Sequence, residues 1–153
     1  MNILLVEDNI LKKKIIEVGL TKLISDVNIT HFNNSSEARD YIDDNNGSID
    51  LLILDWCFPK RNGESAHDGE GHIVLDHILD NGYDIKTVIC SGNDLSNTTL
   101  MEDYYFLLGV IQFGECNPGP TILGLYTNYL TSVCNINRSE KPYVKKLVNY
   151  DVK

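Results

Sequence analysis

No apolar run in the chain approaches the roughly 20 residues a helix needs to cross a bilayer, so no membrane span is expected. The N-terminus turns acidic at Glu7-Asp8, too early for a secretory signal, and a cytoplasmic location is expected. Positive charge is scarce. Thirteen Lys and Arg face 22 Asp and Glu, for a net charge of −9. Nucleic acid is held by clustered cations on phosphates, so direct nucleic-acid binding is not expected. The one tight basic run, Lys12-Lys13-Lys14, is read as a solvated helix face. The four cysteines, Cys57, Cys90, Cys116 and Cys134, contain no C-x-x-C pair, which argues for free thiols rather than a zinc or redox centre. His72 and His77 are five apart and share no helix face, so they are read as surface residues. There is no internal repeat and no low-complexity run. An apolar fraction of 42% and a charged fraction of 23% are ordinary for a globular chain of this length, most simply one domain.

What is present is organised around Leu51-Leu52-Ile53-Leu54-Asp55, four apolar residues running into one carboxylate. Such a run fits a strand buried on both faces, with Asp55 at its carboxyl end. Pro59 then lacks the N–H for further pairing. A first strand is expected over 2–6, closed by Glu7-Asp8-Asn9, where Asp8 or Asn9 can cap a helix. Leu11, Ile15, Ile16, Leu20 and Leu23 have helical spacing over 10–24. Val27, Ile29 and His31 suggest a second strand near an edge, and Ser35 or Ser36 a cap for a short helix ending at Asn45-Asn46-Gly47. The polar stretch 60–70 reads as a loop. A helix follows through Ile78 to Gly82, then a strand over 87–90 closed by Ser91-Gly92. A helix capped by Ser96 is expected to reach about Leu108, a strand to cover 110–113, and a last helix to start at Pro120.

Five β-α repeats imply a parallel sheet with helices on both faces and right-handed crossovers. All strand carboxyl ends then share one edge, and Glu7, Asp8, Asp55 and Ser91 lie along it. Carboxylates gathered at one edge repel each other, and a hard cation such as Mg²⁺ is the natural compensation. A carboxylate can also act as nucleophile toward phosphorus, and a hydroxyl can bond a phosphoryl oxygen.

On these residues the chain resembles the receiver domains of two-component response regulators. Ile3-Leu4-Leu5-Val6-Glu7-Asp8-Asn9 is similar to that family's first strand and acidic pair, and Leu52-Ile53-Leu54-Asp55 to the strand ending in its phosphorylated aspartate. Pro59 and Val88-Ile89-Cys90-Ser91-Gly92 fall where the family keeps a proline and the strand leading to its Ser/Thr. The resemblance covers roughly residues 1–134 and implies a flavodoxin-like, doubly wound five-stranded parallel sheet of order 2-1-3-4-5. It implies Mg²⁺ held by Glu7, Asp8, Asp55 and the backbone carbonyl of Cys57, with no organic cofactor. It implies Asp55 as phospho-acceptor, Ser91 as phosphoryl contact and Phe113 as aromatic switch. The implied partners are a histidine kinase or phosphotransfer protein, a downstream protein, and a second copy in a homodimer.

Two departures stand out. The family's lysine after the fifth strand is absent, since no lysine occurs between Lys86 and Lys141 and Cys116 or Asn117 takes its place. The stretch from Lys60 to Glu70 is several residues longer than usual and carries His67, Asp68 and Glu70. The expectation is therefore a stand-alone receiver-like domain over 1–135 with a tail over 136–153 that includes a short extra helix. It acts in signalling through phosphorylated Asp55 and is not an enzyme beyond its own phosphorylation. The alternative is a pseudo-receiver that binds partners without phosphorylation. A hydrolase is disfavoured because Cys57 stands where a second aspartate is needed.

Overall fold

The structure, a computed structural model, describes residues 1–113 and 118–132 and the backbone of the pair 143–144. In chain order the elements are β1 (Asn2–Val6), α1 (Ile10–Leu23), β2 (Asn28–Phe32), α2 (Ser35–Asn45), β3 (Leu51–Leu54), β4 (Phe58–Pro59), β5 (Ala66–His67), α3 (Glu70–Asp80), β6 (Thr87–Ser91), α4 (Leu100–Asp103), β7 (Leu107–Gln112), α5 (Gly119–Ser132) and β8 (Tyr143–Val144).

The main sheet is parallel throughout, in the order β2-β1-β3-β6-β7-β8. Its first five strands have the expected doubly wound arrangement, with β2 at one edge. Alternation along each strand feeds two cores. Leu4, Val6, Leu52, Leu54 and Ile89 pack on the face that includes residues of α2, α3 and α4. Ile3, Leu5, Leu51, Ile53, Val88 and Cys90 pack on the opposite face with Ile16 and Leu20 of α1 and Ile122 and Leu125 of α5. Every residue of β3 is buried, as its unbroken apolar run requires. Among the described residues no helix is long and apolar enough to cross a membrane.

Several local expectations need correction. The cap of α2 is Asn34, whose side chain accepts from the Glu37 N–H at 2.9 Å; Ser35 is already helical. The stretch 60–70 is not simply a loop. Phe58 and Pro59 pair antiparallel with His67 and Ala66, so the parallel strand already ends at Leu54 and Pro59, expected to stop pairing, takes part in a small hairpin. The expected helix from Ser96 to Leu108 shrinks to Leu100–Asp103. Asp94 Oδ1 accepts from the N–H and hydroxyl of Ser96, and the Thr98 N–H bonds the Leu95 carbonyl. These local turns compete with helix, and the buried run Phe106–Val110 extends β7 three residues earlier than expected. In the tail, Tyr143–Val144 pair as a strand with Val110 and Ile111; the rest of the stretch for which a short helix was expected lies outside the described residues.

The rotation of α1 also differs from expectation. Its buried residues are Lys12, Ile16, Gly19 and Leu20. Leu11, Ile15 and Leu23 are exposed, Leu11 at 74%. The buried stripe follows i, i+4, i+7, i+8 from a lysine, and that lysine leads into the site.

Candidate functional site

The site lies at the carboxyl edge of β1, β3 and β6, where parallel sheets place their ligands. Carboxylate oxygens of Glu7, Asp8 and Asp55 lie within 4.8 Å of one another. Glu7 follows β1 and is almost fully buried, and Asp55 follows β3 and is 8% exposed. Asp8 is the most open of the three. Backbone bonds fix these turns: the Asp55 N–H donates to the Val6 carbonyl, and the Glu7 N–H to the Phe32 carbonyl. Asn9 caps α1 by accepting from the Lys12 N–H at 3.0 Å, while its own N–H donates to Glu7 Oε1.

Lys12 is the correction that matters most. It does not lie on a solvated face with Lys13 and Lys14; it is 8% exposed. Its ammonium lies 2.7 Å from Glu7 Oε2 and donates to Asp55 Oδ1 at 2.9 Å and to the Cys90 carbonyl at 2.6 Å. All three N–H donors of the ammonium are thereby used. The same nitrogen sits 5.4 Å from the centre of the Phe113 ring. A signal for Lys12 existed in the sequence: counted from Ile16 and Leu20, it extends the buried stripe of α1 to the turn after Glu7-Asp8. Leu11 and Ile15, one step around the helix, were the more conspicuous apolar residues.

The electrostatics follow from burial. Burial raises the Glu7 carboxyl to about 7, with Lys12 working to lower it and Asp55 to raise it. Asp8 is also raised, by burial and then by the Asp55 charge. Burial opposes the charge on Lys12, but Asp55, Cys90 and Glu7 outweigh it and hold the ammonium more basic than usual. One ammonium thus serves two buried carboxylates, and a second cation has something to neutralise.

On Asp55 both hydrogen bonds fall on Oδ1, from Lys12 and from the Trp56 N–H at 2.8 Å. Oδ2 accepts none among the described residues. Gly71, at the start of α3, packs against this turn, and a Cβ there would stand 2.6 Å from the Asp55 carbonyl oxygen. The Trp56 indole stacks on His72, with ring centres 5.9 Å apart. Ser91 ends β6, buried, and its hydroxyl oxygen accepts from the Asn93 N–H at 3.1 Å. Phe113 is half-buried against the second core. The Asn93 amide donates to the Cys57 sulfur and to Asp68, and the Cys57 thiol donates to Asp68. That network ties the hairpin segment to the rim. Cys90 faces the second core, where burial pushes its thiol up to about 12. Cys116, placed by resemblance where a lysine is usual, and Cys134 lie outside the described residues.

The oxygen donors of Glu7, Asp8 and Asp55 suit a hard divalent cation, which takes carboxylates and waters. The excess of buried negative charge over the single Lys12 ammonium supports the same fit.

Neither a protein-family model nor a curated protein matches the sequence. Solved structures do. A response regulator receiver domain from Rhodospirillum rubrum superposes with a TM-score of 0.62 at 18% identity, over 86% of this chain and 94% of that one. The signal receiver domain of a putative Luxo repressor protein from Vibrio parahaemolyticus gives 0.57 at 18% identity, over 89% and 98%. The isolated REC domain of RcsB from Salmonella enterica serovar Typhimurium, in the presence of phosphomimetic BeF3-, gives 0.58 at 15%, over 95% and 94%. The chain therefore has the fold of a response-regulator receiver domain.

Proposed function

We propose that this chain is a receiver-like signalling module in which Asp55 accepts a phosphoryl group. The convergence of Glu7, Asp8 and Asp55 at one sheet edge carries this reading, with Oδ2 of Asp55 left as the open oxygen. That oxygen attacks the phosphorus of a phosphohistidine or small acyl phosphate. A new O–P bond forms, and the bond from phosphorus to the donor breaks with its electron pair leaving on the donor. Glu7, Asp8, Asp55 and the Cys57 carbonyl would hold Mg²⁺, which supplies charge neutralisation for the phosphoryl oxygens. Ser91 contacts the phosphoryl group once its hydroxyl leaves the Asn93 N–H. Phe113 passes the change to the surface near β7. A histidine kinase or phosphotransfer protein supplies the phosphoryl group, and the output is a change of protein partner or homodimerisation.

The test is a Mg²⁺ titration read by Trp56 fluorescence, with and without beryllofluoride. The Trp56 N–H bonds Asp55 directly, so saturable changes are expected with each addition, and Asp8→Ala should weaken the Mg²⁺ response. A folded protein with no response to either would contradict the proposal. It would favour a pseudo-receiver, a reading supported by the single-turn α4 and by the Cys57–Asp68–Asn93 network at the rim.

A further inference from the structure

We propose that Lys12 is the cation that receives the phosphoryl group at this site, delivered from the first helix; this rests on the reading of Asp55 as acceptor. Among the described residues no other Lys or Arg pairs with Glu7 or Asp55. The Lys12 ammonium is built in: its side chain is 9% exposed, its three donors are all used, and its backbone N–H is fixed by the Asn9 cap.

Lys12 and the Trp56 N–H both hold Oδ1 of Asp55, which leaves Oδ2 to attack phosphorus. When the O–P bond forms, the carboxylate becomes an acyl group and its single charge disappears. The phosphoryl oxygens bring more negative charge than was lost. The donor bond to Oδ1 then weakens, and the ammonium turns to the nearest phosphoryl oxygen while Glu7 still anchors it. A charge-assisted bond of this kind is made more strongly in the phosphorylated state than before it. The turn costs the bond to the Cys90 carbonyl or the position over the Phe113 ring. Lys12 therefore also links the acceptor to the end of β6 and to Phe113.

A plain counter-ion for two buried carboxylates would behave differently. Removing its charge would tighten Mg²⁺ binding and leave phosphorylation equal or faster. The proposal separates the two effects. The experiment compares wild type with Lys12→Gln and Lys12→Arg, each checked for folding by circular dichroism. Mg²⁺ affinity is read by Trp56 fluorescence, and phosphoryl accumulation from acetyl phosphate by intact mass at saturating Mg²⁺. Lys12→Gln is the main variant because it keeps hydrogen bonds to the carboxylates without the charge; Lys12→Arg, which keeps the charge, decides the matter if Lys12→Gln fails to fold. Lys12→Gln should bind Mg²⁺ more tightly yet accumulate phosphoryl about tenfold more slowly or worse, and Lys12→Arg should recover part of the rate while leaving Mg²⁺ affinity near wild type. Folded Lys12→Gln at the wild-type rate, or folded Lys12→Arg as slow as Lys12→Gln, would overturn the role of Lys12 alone. If Lys12→Gln does not fold, Lys12→Arg tighter for Mg²⁺ without any phosphoryl uptake would do the same. Wild type that takes neither phosphoryl nor beryllofluoride would overturn the acceptor reading itself, and the proposal with it.

Discussion

Glu7 shows how a single buried carboxyl sets a pH response. Burial raises it to about 7 from an ordinary 4.5, so the folded chain holds its proton more tightly than the unfolded chain does. The associated stability is full below about 4.5 and is lost as pH rises through about 7. Glu7→Gln should remove that loss. Thermal unfolding followed between pH 4.5 and 8 should show wild type falling relative to the variant as pH rises; a pH-independent difference would contradict the raised carboxyl. The converse holds at Lys12. Lys12→Met leaves two buried carboxylates with no cation, a defect that typically costs about 3–5 kcal/mol. Because Glu7 can take up a proton, the loss measured by urea unfolding should be smaller at pH 5 than at pH 8. Equal losses at both would mean that Glu7 does not take that proton. At this scale the acidic residues were legible, because each ends an apolar run. Lys12 was not, because the first of three consecutive lysines looks solvated until its position on the buried stripe is counted.

Elements carry the site through their ends. The turn after β3 is clamped by the first residues of α3, and the Gly71 N–H donates to the Trp56 carbonyl at 3.1 Å. A methyl at Gly71 would meet the Asp55 carbonyl at 2.6 Å and the Trp56 Cα at 3.1 Å. Backbone on both sides cannot yield easily, so Gly71→Ala should cost about 1–3 kcal/mol in chemical unfolding and should lower the rate of phosphorylation by displacing Asp55. An unchanged midpoint would show that α3 can shift without consequence. The rise and fall of elements along the chain was legible wherever apolar periodicity was strong, as in β1, α1, β3 and α3. It failed at α4, where Asp94, Ser96 and Thr98 satisfy backbone groups locally and leave one helical turn. It failed again at 58–67, since a hairpin whose strands are two residues each has no periodicity to read.

For the whole molecule, the parallel sheet with helices on both faces followed from alternation, its doubly wound strand order from the resemblance, and the edge that gathers Glu7, Asp8 and Asp55 from the sheet. The charge that completes the site came from a different element than the resemblance led one to expect. With a net charge of −9 and a carboxylate cluster only partly answered by Lys12, the folded chain should gain stability from Mg²⁺ by mass action. Millimolar Mg²⁺ should raise the melting temperature of wild type at pH 8 and leave Asp8→Ala, Asp55→Ala nearly unmoved; an equal rise in all would indicate binding elsewhere on the acidic surface. The account as a whole stands on Asp55 as a phosphoryl acceptor. The most direct measurement is intact mass after incubation with Mg²⁺ and acetyl phosphate, with Asp55→Ala beside it. The account predicts one added phosphoryl group in wild type and none in the variant. No adduct in folded wild type, or the same adduct in both, would contradict it.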